Sequence, residues 1–218
     1  MKGLVSKFYR VISAIAVVAV VLTACDTPST LPYYNTPDFT PHFLTAKEAN
    51  TAITHRIAPF EFKDQHGQTV SEKTIQGKIH IANFIFTSCG SICPVMTKRM
   101  KLVQRAFENN GNVVLLSYSV TPWIDNVPTL KRYADNNSIT SPNWHLLTGK
   151  KSSIYTLARK SYFAEEDIGF SRDSLQFLHT EHILLIDRNR RIRGIYNGTL
   201  QLEAEQLIKD IEELLKEG

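Results

Sequence analysis

Cysteine is scarce in this chain, three residues in 218, so no framework of several disulfides holds it together. Long apolar runs are missing too. The uncharged stretch from Val11 to Cys25 has 15 residues, short of the ~18 expected of a helix that spans a bilayer. Charge of one sign is also lacking: 25 Lys and Arg face 21 Asp and Glu, a net +4. Three of those cations, Lys2, Lys7 and Arg10, sit in the N-terminal leader, and 22 against 21 remain without it. That near-balance gives no footprint for nucleic acid. There is no His-Glu-x-x-His helix motif and no paired-carboxylate arrangement, which removes support for zinc hydrolysis. No internal repeat and no second domain boundary interrupt the sequence.

What is present begins with a leader. A basic head, the apolar "VISAIAVVAVVL" and small residues before Asp26 have the architecture of a secretory signal; the alternative is a short membrane anchor that stays attached. "LTAC" (Leu22 to Cys25) resembles the lipobox of bacterial lipoproteins. That resemblance implies a signal peptide over 1–24, cleavage before Cys25, and acylation of Cys25. The mature chain would then be exported and lipid-anchored to the cell membrane, facing the periplasm or the cell exterior, with more than one acyl chain giving stable attachment. Two cysteines would remain, Cys89 and Cys93. A bridge between them closes too short a loop to stabilise the fold much through chain entropy, so chemistry is the better reason for the pair.

Residues 25–58 carry Pro28, Pro32, Pro37 and Pro41 among Ser, Thr and Asn, and read as a semi-extended tether. Residues 59–218 read as one folded domain. "FEFKDQHGQTV" alternates about His66-Gly67 as a hairpin would. "KIHIANFIF" is apolar almost throughout, as a strand buried on both faces would be. Val95 to Phe107 puts Met96, Met100, Val103 and Phe107 on one helical stripe. "NVVLLSYSV", "WHLLTG", "HILLID" and "RIRGIY" read as strands. "TLKRYADNN", Lys150–Phe163 and Glu203–Lys216 read as helices. The order predicts an α/β layer with a mainly parallel core and an antiparallel edge. It matches the thioredoxin-like fold, a mixed central sheet flanked by helices, here with an added N-terminal hairpin. In that fold the reactive cysteines follow the first core strand, where Cys89 and Cys93 stand.

Pro94 suits the first helical position and disfavours helix at the residue before it, so Cys93 is expected at the helix entrance with Cys89 in the loop before. A helix N-terminus favours thiolate, which is both nucleophile and metal ligand, and the pair alone leaves both roles open. The gap Gly90-Ser91-Ile92 is one residue longer than in thioredoxin-type exchange motifs. Two thiolates are an incomplete site for most metals, so a third ligand must come from elsewhere. Of seven histidines, His42, His55, His66, His80 and His145 read as structural or solvated. His179 lies in the approach to a strand that returns beside the cysteine loop; His182 begins that strand and reads as a capping or packing residue.

"FTSCGSICPVMTKRM", "NWHLLTGKKSSIYTLARKSY" and "HTEHILLIDRNRRIRGIYNG" together resemble the Sco/SenC family of copper-binding cytochrome oxidase assembly proteins, from about Phe60 to the C-terminus. The resemblance implies that Cys89, Cys93 and one distant histidine bind a single copper ion. In the family register that histidine precedes Ser or Thr and stands eight residues before the residue ending the strand. Counting back from Asp187 selects His179, followed by Thr180. Two departures stand out: Gly90 replaces the usual proline after the first cysteine, and "TPWID" (Thr121 to Asp125) replaces an Asp-Pro-x-Arg-Asp loop. Soft thiolates suit Cu(I), and an added imidazole admits Cu(II).

The implied function is a metallochaperone that passes copper to a membrane acceptor, such as the binuclear copper centre of cytochrome c oxidase subunit II, with a thiol reductant as a second partner. The rival is a thiol-disulfide oxidoreductase using Cys89 and Cys93 alone to reduce the acceptor's cysteines. A peroxidase has no arginine-supported peroxide pocket to recommend it. Arg188, Arg190, Arg191 and Arg193 read as a solvated hairpin turn or as a docking patch for an acidic partner or lipid headgroups. Trp123 reads as a flank of the metal loop or as a packed aromatic.

Overall fold

The computed structural model describes residues 31–164 and 180–217; the expected signal peptide (1–24), the lipidated Cys25 and the candidate ligand His179 lie outside the described residues. Strand β5 (Ile79–Ile85) is buried at all seven positions because both faces are covered. Ile79, Ile81 and Ile85 pack with Met96, Met100, Val103, Leu207 and Ile211 on one side, while Ala82 and Phe84 pack with Tyr118, Leu157 and Tyr162 on the other. β5 runs parallel to β6 (Val113–Ser119), and β6 runs parallel to β7 (Trp144–Leu147). β8 (His182–Ile186) returns antiparallel on the opposite flank of β5, followed by β9 (Ile192–Asn197).

Four of the five helices cover the sheet: α2 (Ile92–Ala106), α3 (Val127–Asn136), α4 (Lys151–Ser161) and α5 (Gln201–Lys216). The expected thioredoxin-like α/β order therefore forms. The hairpin at His66-Gly67 forms as well, with β3 (Glu61–Lys63) against β4 (Thr69–Ser71). Gly67 has φ 73°, a conformation that favours glycine, and Asp64 Oδ1 accepts the N–H groups of His66 and Gln68 across the turn. Among the described residues no helix is long and apolar enough to cross a membrane.

The tether expected over 25–58 is corrected from residue 31 onward. β1 (Tyr33–Tyr34) pairs with β9 through Tyr34 and Ile192, and β2 (Pro41–His42) pairs with β1 as the sheet's last strand. Helix α1 (Ala46–Ala52) follows, opened by a capping box in which Thr45 and Glu48 satisfy each other's backbone N–H groups. Leu31, Tyr33, Ala49, Ile53 and Ile57 are buried, and this apolar spacing outweighs the prolines. Pro41 sits where a missing N–H costs least, on an edge strand.

The arginine hairpin is corrected too. Arg191 and Arg193 are 4% and 1% exposed, so they form neither a solvated turn nor a docking patch. Arg193 grips Glu217 through Nη1 at 2.7 Å and Nη2 at 3.0 Å. It also donates to the carbonyls of Leu31 (3.0 Å) and Pro32 (3.1 Å), and its Cζ lies 3.9 Å from the Tyr33 ring centroid. Arg191 reaches Asn50, and Arg188 donates to the Leu214 carbonyl at 2.9 Å. These cations fasten the N-terminal segment and α5 to the hairpin.

Removing one member of such a buried cluster strands the others, so Arg193→Met is expected to cost ~3 kcal/mol in urea unfolding and to speed hydrogen exchange at Tyr33 first. A separate effect of acid comes from His80. Burial, with a smaller contribution from Arg190, lowers its pKa from 6.5 to about 3, so the folded imidazole stays neutral while the unfolded one protonates. The unfolded state binds more protons between those two values, and stability falls as pH drops through that window. His80→Leu should flatten the dependence of the urea midpoint on pH between 6.5 and 3; an unchanged slope would assign the acid loss to other groups.

Candidate metal centre

The site is built where β5 ends. The N–H of Cys89 donates to the Phe86 carbonyl at 3.2 Å, closing a turn directly after the strand. Helix α2 then starts at Ile92 with Ser91 as its N-cap, and Ser91 makes no side-chain capping bond. The helix thus begins two residues earlier than the position of Pro94 implied. Pro94 falls third in the helix, still within the first turn, where a backbone N–H has no helical partner in any case. Cys93 is therefore carried on the helix and turned inward, 4% exposed.

The two sulfurs differ in surroundings. Desolvation alone would raise the Cys89 pKa. The N–H groups of Cys93, Ser91 and Ile92, together with the Cys93 thiol, outweigh it and hold the value below that of an ordinary thiol. The sulfur of Cys89 thus takes the place that a capping oxygen fills in other helices. Cys93 goes the other way: burial first, then its hydrogen bond and charge coupling with Cys89 and the charge of Asp125, push it up to about 12, against the Phe86 N–H. Ionisation is thus eased at Cys89 relative to an ordinary thiol and opposed at Cys93; both are free cysteines.

Asp125 organises the neighbouring loop. It is fully buried and accepts from Thr87 Oγ1 (2.6 Å), Ser119 Oγ (2.6 Å), Thr121 Oγ1 (2.8 Å) and the Thr87 N–H (3.3 Å). This ties the 121–125 loop to the residue two positions before Cys89. Trp123, in this loop, is not packed in the core: it is 53% exposed, with Lys151 Nζ 4.7 Å from its ring centroid. Tyr133, bonded to Thr97 at 2.7 Å, is near enough for both cysteines to help raise its pKa, after desolvation. Tyr133 and Thr87 escaped the sequence reading. Neither lies in a motif, and only the fold brings them to the sulfurs.

Gly90 meets nothing within 4 Å where a Cβ would stand, so what it gives the loop is freedom rather than room. Among the described residues no three His, Cys, Asp or Glu side chains gather closely enough to hold a metal; Cys89 and Cys93 supply two donors. The pairing of Asn83 with Ile183 brings the start of β8 beside the end of β5, and Thr180 Oγ1 caps it by accepting the His182 N–H at 3.1 Å. His182 itself packs edge-on against Phe39, ring centroids 6.1 Å apart. The other described histidines serve structure or lie on the surface: His55 bonds the Ser161 carbonyl, His80 bonds Tyr162 and His145 bonds Asp64, whereas His42 and His66 are exposed.

The SCO1/SenC profile matches residues 48–216. The chain belongs to the SCO1/SenC family. Three solved structures are similar along most of its length. A Sco protein described as carrying a disulfide switch, a member of the Sco family of cytochrome c oxidase assembly proteins, is 32% identical with a TM-score of 0.62, over 73% of this chain and 93% of that one. A SCO1/SenC family lipoprotein from Bacillus anthracis str. Ames is 30% identical with a TM-score of 0.65, over 75% and 96%. ScoI from Bradyrhizobium japonicum, with copper bound, is 27% identical with a TM-score of 0.57, over 72% and 98%.

The sulfur asymmetry has a direct readout. In the reduced protein at pH 7, iodoacetamide should alkylate Cys89 at least ~10-fold faster than Cys93, as read by peptide mass spectrometry. The Cys89 rate should rise with pH to a midpoint below that of an ordinary thiol. Faster labelling of Cys93 would reverse the roles.

Proposed function

We propose that the protein is an exported, lipid-anchored copper chaperone that holds one copper ion through Cys89, Cys93 and His179 and delivers it to a membrane-bound acceptor. The acceptor we favour is the binuclear copper centre of cytochrome c oxidase subunit II. The observation that carries this reading is the sulfur pair itself: Cys89 in a ring of N–H groups and Cys93 below it, at the end of the sheet where the chain re-enters through Thr180. Support comes also from the copper held by the Bradyrhizobium relative and from the lipoprotein among the relatives.

Soft sulfur donors match Cu(I), and one imidazole extends the set to Cu(II). Copper is the cargo. The chain's part is to ease ionisation of Cys89, to give up the Cys93 proton when metal arrives, and to release both sulfurs one ligand at a time to incoming donors. The raised pKa of Cys93 makes loading release a proton, so affinity should climb with pH.

The second reading rests on the same asymmetry. As a thiol-disulfide reductase, Cys89 thiolate would attack an acceptor disulfide to form a mixed disulfide. Cys93, on losing its proton, would then displace it, passing two electrons to the acceptor and leaving a Cys89–Cys93 disulfide for an external thiol reductant to restore.

Anaerobic copper titration of the reduced full chain separates the two. The chaperone reading expects one copper per chain and sulfur-to-copper charge-transfer absorption. His179→Ala should weaken Cu(II) binding by more than the ~10–100-fold that loss of a supporting group costs, and His182→Ala should change it little. Equal losses in the two variants would defeat the His179 assignment. Thiol exchange without stoichiometric copper would favour the reductase.

A further inference from the structure

Helix α2 has to hold Cys93 beside Cys89, yet its first turn lacks the usual fastenings. Ser91 makes no side-chain capping bond, and no acidic residue stands in the opening turn. Met96, Met100 and Val103 seat the helix on the sheet by apolar contact, which is not directional and fixes the rotation and slide of the first turn only loosely. Directional restraint has to come from hydrogen bonds. Cys93 itself meets Cys89 and the Phe86 N–H. Beyond those, among the described residues, one side-chain hydrogen bond runs from residues 92–98 to another element: Thr97 Oγ1 with the Tyr133 hydroxyl, at 2.7 Å.

Thr97 is well placed to transmit that restraint. It stands four residues after Cys93, on the same helical face, and is buried. A helical threonine hydroxyl left to itself bonds back to the carbonyl four residues earlier and bends the helix; here that carbonyl belongs to Cys93. Tyr133 engages the hydroxyl instead. Tyr133 is a firm anchor because α3 is itself well fixed. Asn126 caps α3 by accepting the Thr129 N–H at 3.0 Å, directly after Asp125, whose carboxylate binds Thr87. Leu130 and Ala134 bury one face of α3, and Tyr133 packs against the same apolar cluster as Ile92. Its hydroxyl is also close enough to feel both sulfurs.

We propose that Tyr133 is a positioning residue for the sulfur pair: through Thr97 it fixes the first two turns of α2, and with them the place of Cys93 beside Cys89. This rests on the two sulfurs acting together, which both functional readings above require. Tyr133 acts on the sulfurs only through the helix. It sets how readily they reach the narrow geometry that a disulfide demands.

The test is the equilibrium between the dithiol and the Cys89–Cys93 disulfide in the metal-free full chain, poised by glutathione and read by peptide mass spectrometry. Two glutathione thiols supply the two electrons and two protons that reduce the disulfide, and leave as oxidised glutathione. Tyr133→Phe, which removes one hydroxyl, should lower the equilibrium constant for disulfide formation about 10-fold, a ~30 mV rise in potential. Thr97→Val reads the same bond from the other side and should do likewise. The double variant should shift the equilibrium no further than the larger single change, and Thr97→Ser, which keeps the hydroxyl, should stay native. Tyr162→Phe is the control for a merely structural effect. Its hydroxyl is buried on the opposite face of the sheet, bonded to His80 and Tyr118, so its loss should lower the urea midpoint and leave the disulfide equilibrium alone. Unchanged equilibria in Tyr133→Phe and Thr97→Val overturn the proposal, as do additive shifts or a Tyr162→Phe variant that moves the equilibrium as far. With no copper in the assay, the result stands apart from the chaperone reading, which falls only with the native chain's copper titration.

Discussion

The chemistry of this chain turns on a helix that begins without an oxygen cap. Ser91 makes no side-chain capping bond to α2 and no acidic residue stands in its first turn. The N–H groups that open the helix are therefore free to point at sulfur, and those of Ser91, Ile92 and Cys93 meet Cys89. Unpaired N–H groups at a helix start attract negative charge. A thiolate there costs less than in water-poor surroundings elsewhere, and the buried Cys93 beside it is correspondingly costly to ionise. One local feature thus shifts two chemically identical side chains in opposite directions.

Everything nearby serves to hold that arrangement still. Asp125 locks the following loop to Thr87 with buried hydroxyls, and the Tyr155 hydroxyl bonds the Val120 carbonyl at 2.8 Å where β6 ends. The parallel pairing of β5 with β6 keeps both loops at the same end of the sheet. Antiparallel β8 adds a third chain crossing from the other side. Segments distant in sequence thus converge at the end of the sheet where Cys89 and Cys93 stand.

How much of this was readable beforehand depends on the kind of signal. Period and burial were plain: "KIHIANFIF" became β5, and Met96, Met100, Val103 and Phe107 line the buried stripe of α2. The sequence misled where local rules compete with packing. Proline density suggested a loose segment, yet Leu31, Tyr33, Ala49, Ile53 and Ile57 are buried in it, and the Thr45–Glu48 capping box was the overlooked sign of a helix. Four arginines in seven residues suggested a wet turn. Nothing in one dimension shows that Tyr33 and Glu217, far apart along the chain, enclose Arg193. The site was half legible, because the cysteines announce themselves by spacing, whereas Thr87 and Tyr133 are recruited by the fold.

The Arg193 clasp has a mechanical meaning. It joins the first described residues, Leu31 and Pro32, to Glu217 near the other terminus, at the end of β5 remote from the sulfurs. Any tug on the N-terminal segment is taken up there, by a guanidinium shared among two carbonyls, a carboxylate and an aromatic face. The load is spent against the floor of the sheet, and the loop that holds the thiolate is spared the strain.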